Sequence, residues 1–338
     1  MERSQMNLST LLFRKKAATL GKFFGIFSAM YIILLAISMY TLPRVDLYFA
    51  KRTIISNFKE YNTIALGTCT LLHSVIPTEL DKIEGVRAYN LSRNGISNVL
   101  AYYILKDNIR KGNIPSILIY SGTYNSFSAV ETEKSILFDL SWETVLSYFK
   151  DLKVSYKARV EDFLLYSQYS LFRYRQFFED AFAFILRSQK IRNDNHIYIK
   201  GAQLINETLS TSGVVLDAQR KGFINDSKII PQEIIFLKKI FKLCKDNKVD
   251  CVVIEIPNYS ELNRFLERNG KNTAVPIIEK LCKEYSINFL SYNNTDKFDL
   301  NKKDYFSSPN SLSPLGASIF SKQLAKDLAI LFSREYNK

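Results

Sequence analysis

Val249-Asp250-Cys251-Val252-Val253-Ile254-Glu255-Ile256 is the segment on which the fold turns. It is short, almost continuously apolar, rich in β-branched residues and stopped by Pro257. Such a run suits a strand covered on both faces rather than one that alternates between core and water. Helical spacing follows over Glu261–Arg268 and Ala274–Tyr285, then a short strand over Ile287–Leu290 and a closing amphipathic helix over Leu315–Phe332. Upstream, Pro231–Leu243 reads as a helix with proline in its first turn, where the missing N–H costs nothing. The same rhythm opens earlier, with strands over Tyr61–Leu66, Val86–Leu91 and Ser116–Tyr120. Between the last two, Val99–Ile109 offers a helix whose apolar face is Leu100, Tyr103, Ile104 and Ile109. Strands alternating with helices predict an α/β fold built on a central parallel sheet.

Two stretches stand outside this rhythm. Residues 141–190 are helical in character and rich in aromatics, which predicts a helical insertion in the α/β domain; residues 195–220 read as irregular. At the other end, Phe23–Leu42 is a run of 20 residues without a charge. As a helix it would extend about 30 Å, the thickness of a bilayer's hydrocarbon core. Arg3, Arg14, Lys15, Lys16 and Lys22 precede it against the single acid Glu2. Basic residues favour the cytoplasmic side. The expectation is therefore a signal-anchor protein of the cell membrane: a cytoplasmic tail (1–22), one transmembrane helix (23–42) and an extracytoplasmic domain (43–338). The lipid bilayer is then a partner, and the domain faces the cell envelope.

Composition narrows the function classes. The chain has 338 residues and a formal net charge of +13. Its lysines are scattered, with no dense basic stripe and no nucleic-acid motif, so nucleic acid is not an expected partner. Four cysteines in a domain of this size make no disulfide framework, and no CxxC pair occurs. Two histidines in the whole chain make a histidine-rich metal site an unsuitable reading. No cofactor is expected.

Ligands of open parallel sheets bind beyond the carboxyl ends of the strands, so the loops after Leu66, Leu91, Tyr120 and Ile256 are where a site belongs. Three of these loops, and a fourth segment, carry short motifs: Leu66-Gly67-Thr68-Cys69-Thr70; Asn90-Leu91-Ser92-Arg93-Asn94-Gly95; Ser121-Gly122-Thr123-Tyr124-Asn125; and Asp304 to Ala317. Taken in order, they resemble the sequence blocks of the SGNH/GDSL hydrolase superfamily. The resemblance implies a flavodoxin-like three-layer sandwich. It implies a nucleophile position at Cys69, oxyanion donors at Gly95 and Asn125, an acid position at Ser308 and a base position at Ser311. With the expected anchor, the chain is similar to the branch acting on envelope polymers, including alginate acetylation and D-alanyl-lipoteichoic acid proteins, and to uncharacterised anchored proteins of spirochaetes. This implies an envelope glycan, a lipid-linked polymer or a membrane protein as partner.

The departures from that pattern matter more than the match. Cysteine replaces serine at position 69, and serines stand at 308 and 311 where an aspartate and a histidine belong. A hydroxyl cannot replace an imidazole titrating near ~6.5 as general base. Nor can it supply the charge that orients an imidazolium. The leading expectation is a membrane-anchored scaffold without the Ser/Asp/His triad that binds or assembles at the envelope. A thiol needs less activation than a hydroxyl, so the rival is an esterase or acyltransferase using Cys69 with His73, four residues on, or with His196. A third reading is a structural subunit of a membrane complex. Tyr124 and Arg93 are neighbouring candidates for ligand contact.

Overall fold

The computed structural model describes residues 19–30, 33, 58–127, 140–152, 196–209 and 229–336. By its contacts the chain divides into two units, Met1–Asp46 with Gln168–Ile191, and Leu47–Ser167 with Arg192–Lys338.

In the first unit, residues 19–30 form a helix with exposed apolar side chains, among them Phe23, Phe24 and Phe27. The transmembrane expectation is corrected here. No helix among the described residues is long and apolar enough to cross a membrane. Residues 31–32 and 34–42 of the apolar run, and residues 1–18 of the tail, lie outside the described residues. The signal-anchor, the single-pass cell-membrane location, the envelope-facing topology and the bilayer as partner rested on that helix and fall with it. So do the partners and the function derived from anchoring.

The second unit is the α/β domain. Its five-stranded sheet comprises β1 (Thr63–Leu66), β2 (Ala88–Asn90), β3 (Ile117–Ser121), β6 (Asp250–Glu255) and β7 (Asn288–Ser291). They are ordered β2-β1-β3-β6-β7, and every pair is parallel. Counted within the sheet, this is the 2-1-3-4-5 order of flavodoxin-like doubly wound folds, whose topological switch point lies between its first and third strands. Around it run α1 (Cys69–Ser74), the single turn α2 (Pro77–Leu80), α3 (Asn98–Arg110), α4 (Trp142–Asp151), α5 (Pro231–Asp246), α6 (Ser260–Arg268), α7 (Ala274–Tyr285) and α8 (Pro314–Tyr336).

Period-two alternation divides each strand between two cores. Ile64, Leu66, Leu118, Tyr120, Cys251 and Val253 pack into one with α3, α4, α5 and α7. Ala65, Ile117, Ile119, Val252 and Ile254 pack into the other with α1, α2 and α8. The sheet is thus covered on both sides, which is why its strands read as unbroken apolar runs.

Two small ribbons complete the unit. β4 (His196–Ile199) and β5 (Ala202–Ile205) are antiparallel, joined by Lys200 and Gly201, both at positive φ (44° and 86°). A two-residue turn with both φ positive matches the twist of a hairpin. The stretch expected to be irregular therefore begins with a hairpin. β8 (Phe306–Ser308) and β9 (Ser311–Leu312) pair antiparallel just before α8. Of the expected helical insertion over 141–190, α4 is described and residues 153–190 lie outside the described residues.

Candidate functional site

The site lies at the carboxyl edge of β1, β2 and β3, and its geometry begins with Gly67. A Cβ at this position would sit 2.2 Å from Ser121 Oγ and 2.7 Å from Ser121 Cβ. Glycine is thus required because the ends of β1 and β3 converge, not for turn freedom. The next residue, Thr68, donates its N–H to Ser121 Oγ at 3.2 Å. The chain then turns into α1, whose first residue is Cys69.

The following block is tied to the same place. Asn90 is buried at the end of β2 and donates Nδ2 to the carbonyls of Leu71 and Val75, both at 3.0 Å. Its Oδ1 accepts the Ser92 N–H at 3.0 Å, and Arg93 N donates to Gly67 O at 3.0 Å. One short amide therefore fixes α1 against the β2 loop. Gly95 follows at φ +70°, a left-handed conformation that glycine adopts without steric cost. Beyond β3, Thr123 Oγ1 donates to Asn125 Oδ1 at 2.6 Å, so the carboxamide of Asn125 is held within its own loop.

Three chain segments meet at Cys69. The residue is half-buried with a free thiol. Burial raises its pKa, against a smaller lowering by the backbone N–H groups of Thr70 and of Cys69 itself. Tyr124 stands close enough for the two groups to interact electrostatically. Its phenol is pushed up to about 12 by burial, with the Asn310 hydrogen bond pulling down and Cys69 pushing up. Asn310, at the tip of the β8–β9 ribbon, donates Nδ2 to Tyr124 Oη at 3.4 Å, and Ser308 Oγ donates to Asn310 Oδ1 at 3.0 Å. A thiol, a phenol, a carboxamide and a hydroxyl thus line one corner, and all four are neutral near pH 7.

Nδ1 of His73 lies 2.6 Å from the carbonyl of Gln203 on β5. A carbonyl only accepts, so Nδ1 carries the proton and the imidazole is oriented by the β4–β5 ribbon. His196 opens β4 as the register partner of Ile205. Ser311 is buried and pairs in register with Ser308, so the two residues at the expected acid and base positions are cross-strand neighbours. Asp304 lies in a short 3₁₀ turn, and its backbone carbonyl accepts Ser313 Oγ at 2.5 Å. Arg93 is buried behind the β2 loop.

Asn90, Ser121 and Asn310 stand inside the quoted motifs, but nothing in the sequence assigned any of them a role. Only the position of Asn90 and Ser121 at strand ends could have flagged them. Among the described residues no group of three or more His, Cys, Asp or Glu side chains is arranged to hold a metal. A groove of about 810 Å³ between Ile83 and the Ala325–Phe332 stretch of α8, and a smaller cavity of about 190 Å³ beside Cys244 and Cys251, lie toward the amino ends of the strands, away from this corner.

The fold and this edge define a doubly wound α/β protein with a polar, uncharged corner at its switch point. No family model matches the sequence, and no curated protein matches it. Among solved structures it is distantly similar to the lipase/acylhydrolase from Enterococcus faecalis, at 8% identity and a TM-score of 0.34, over 79% of this chain and 95% of that one. At that distance the likeness assigns neither family nor activity.

Proposed function

We propose that this α/β domain binds a neutral polar group, such as a carbonyl or hydroxyl, at its carboxyl edge and does not hydrolyse it. On this proposal the domain is an SGNH-type scaffold whose nucleophile, acid and base positions are occupied by Cys69, Ser308 and Ser311. The observation that carries it is the immediate company of the Cys69 thiol. Burial holds the thiol protonated, and beside it stands the Tyr124 phenol, itself bonded to the Asn310 carboxamide. Nucleophilic cysteines need the thiolate, generated by a base or a positive neighbour. Burial of Cys69 works against that thiolate, and His73 Nδ1 is committed to the Gln203 carbonyl. Hydrogen-bond donors that surround a carbonyl without a nucleophile give binding alone.

The test offers p-nitrophenyl acetate to the full chain and follows both p-nitrophenolate release and intact mass. The expected result is no burst and no acetyl adduct, with Cys69→Ser indistinguishable from wild type. A stoichiometric burst accompanied by acetylation at Cys69, and lost in Cys69→Ser, would sink the proposal. Binding is read by ligand-observed NMR with neutral amide- and hydroxyl-bearing fragments, whose signals should vanish in Tyr124→Phe combined with Asn310→Ala.

A further inference from the structure

One buried carboxyl outside the corner touches both loops that frame it. Glu233 lies in the first turn of α5, and its Oε2 accepts the backbone N–H of Asn98 at 2.6 Å. Its own carbonyl accepts Asn98 Nδ2 at 3.1 Å. The same amide nitrogen donates to Ser126 O at 3.2 Å, while Asn98 Oδ1 accepts the Tyr120 hydroxyl at 2.6 Å. Asn98 is the first residue of α3, directly after the loop that holds Gly95, and Ser126 directly follows Asn125. A further tie, from Ile230 N to Phe127 O at 2.9 Å, joins the β3 loop to the residue preceding α5.

The geometry points to Glu233 as a positioning residue for the carboxyl-edge site: through Asn98 it clamps the Gly95 loop to the Asn125 loop, and protonation of its carboxyl favours the clamped arrangement. The meaning of this inference rests on the reading of the site given above, but its measurement does not. Burial raises Glu233 to about 7, opposed by the Asn98 N–H. The titratable group that faces it is the Tyr120 phenol on β3, itself raised by burial and by this carboxyl. From α3 it meets the neutral Asn98, and no cation figures among the influences on it.

The sign follows from the two arrangements. When the clamp opens, the carboxyl meets water and titrates in the ordinary glutamate range; when closed, it holds its proton more tightly. Closure is therefore favoured fully at low pH and weakens as pH rises through about 7. Between about pH 5.5 and about pH 8 the change in local opening is on the order of tenfold.

Hydrogen exchange of the full chain, corrected for the intrinsic pH dependence of exchange, reads this directly. In wild type, segments 93–100 and 122–127 should lose protection together, on the order of tenfold, as pH rises across that window. Glu233→Gln still accepts from Asn98 but cannot ionise, so both segments should stay protected throughout. Glu233→Ala should loosen both at either pH. The inference is overturned if wild-type protection does not change with pH, if only one loop responds, or if Glu233→Gln keeps the wild-type response. No ligand is needed, so acylation of Cys69, which would defeat the preceding proposal, leaves this result to be decided by the loops alone.

Discussion

Asn90 does more for the site than any residue that could contact a ligand. Its buried amide donates to two carbonyls of α1 and accepts the Ser92 N–H, so a single side chain joins the helix of Cys69 to the loop of Gly95. Asn90→Ala should destabilise the domain by about 2–3 kcal/mol, because two buried carbonyls and the Ser92 N–H lose their partner at once. Asn125→Ala removes one hydrogen bond within its own loop at a half-buried position and should cost about 1 kcal/mol or less. Urea unfolding of the two variants checks this, and equal losses would contradict the assignment. At this scale the sequence was partly legible. Glycine at 67 and the residues around Cys69 stood out, whereas Asn310 did not, because its meaning depends on Tyr124, 186 positions away. The pairing of Cys69 with His73 looked plausible from their spacing of four. What the spacing could not show is the tertiary contact that sets the tautomer, the bond from Nδ1 to the Gln203 carbonyl.

Among the elements, the sheet strands were read well because both of their faces are buried, and a continuous apolar run is a strong signal. The strands expected over 61–66, 116–120 and 249–256 appear within a few residues of those limits. The β4–β5 hairpin was missed because its turn begins with Lys200, a residue that rarely adopts positive φ, rather than with the asparagine or aspartate that marks such turns. The start of α8 is fixed by close approach. A Cβ on Gly316 would fall 1.9 Å from the carbonyl oxygen of Tyr305, a backbone atom that cannot move aside alone. Gly316→Ala should therefore displace the β8–β9 ribbon from α8 and cost about 2–4 kcal/mol, more than a typical surface glycine replacement. Thermal unfolding measures the loss. A drop no greater than that for Gly112→Ala, where the space is open and a φ of +79° alone costs about 1–2 kcal/mol, would show that the ribbon tolerates the shift.

For the molecule as a whole, buried carboxyls set how stability depends on pH. Glu233 is raised to about 7 by burial, and Glu255 is raised as well, burial again leading and the Ser291 and Asn293 hydrogen bonds opposing it. A carboxyl whose folded pKa lies above its unfolded one stabilises fully below the unfolded value, and that contribution is lost as pH rises through the folded value. Asp107 works in the opposite sense. Burial alone would raise it, but the bonds from Lys111, Ser141 and Thr144 hold it below its ordinary value, so its contribution fades only in strong acid. The domain should thus be less stable at about pH 8 than at about pH 5, by about 2 kcal/mol from Glu233 alone. Urea midpoints at the two pH values test the sign, and Glu233→Gln should remove most of the difference. The apolar run near the N-terminus is where sequence reading went furthest astray. Its hydropathy and length predicted a membrane-spanning helix, and no helix among the described residues is long and apolar enough to be one.

The β8–β9 ribbon has a consequence of another kind. Ser308 and Ser311 face each other in register, and directly opposed residues on an antiparallel pair keep their Cβ atoms about 5 Å apart whatever their identity. The ribbon is therefore an interchangeable socket: its backbone sets positions 308 and 311 opposite each other, with Asn310 at the tip between them, and leaves open which two side chains stand there. Chemistry can be exchanged at those positions without redrawing the fold, much as a chuck accepts different bits.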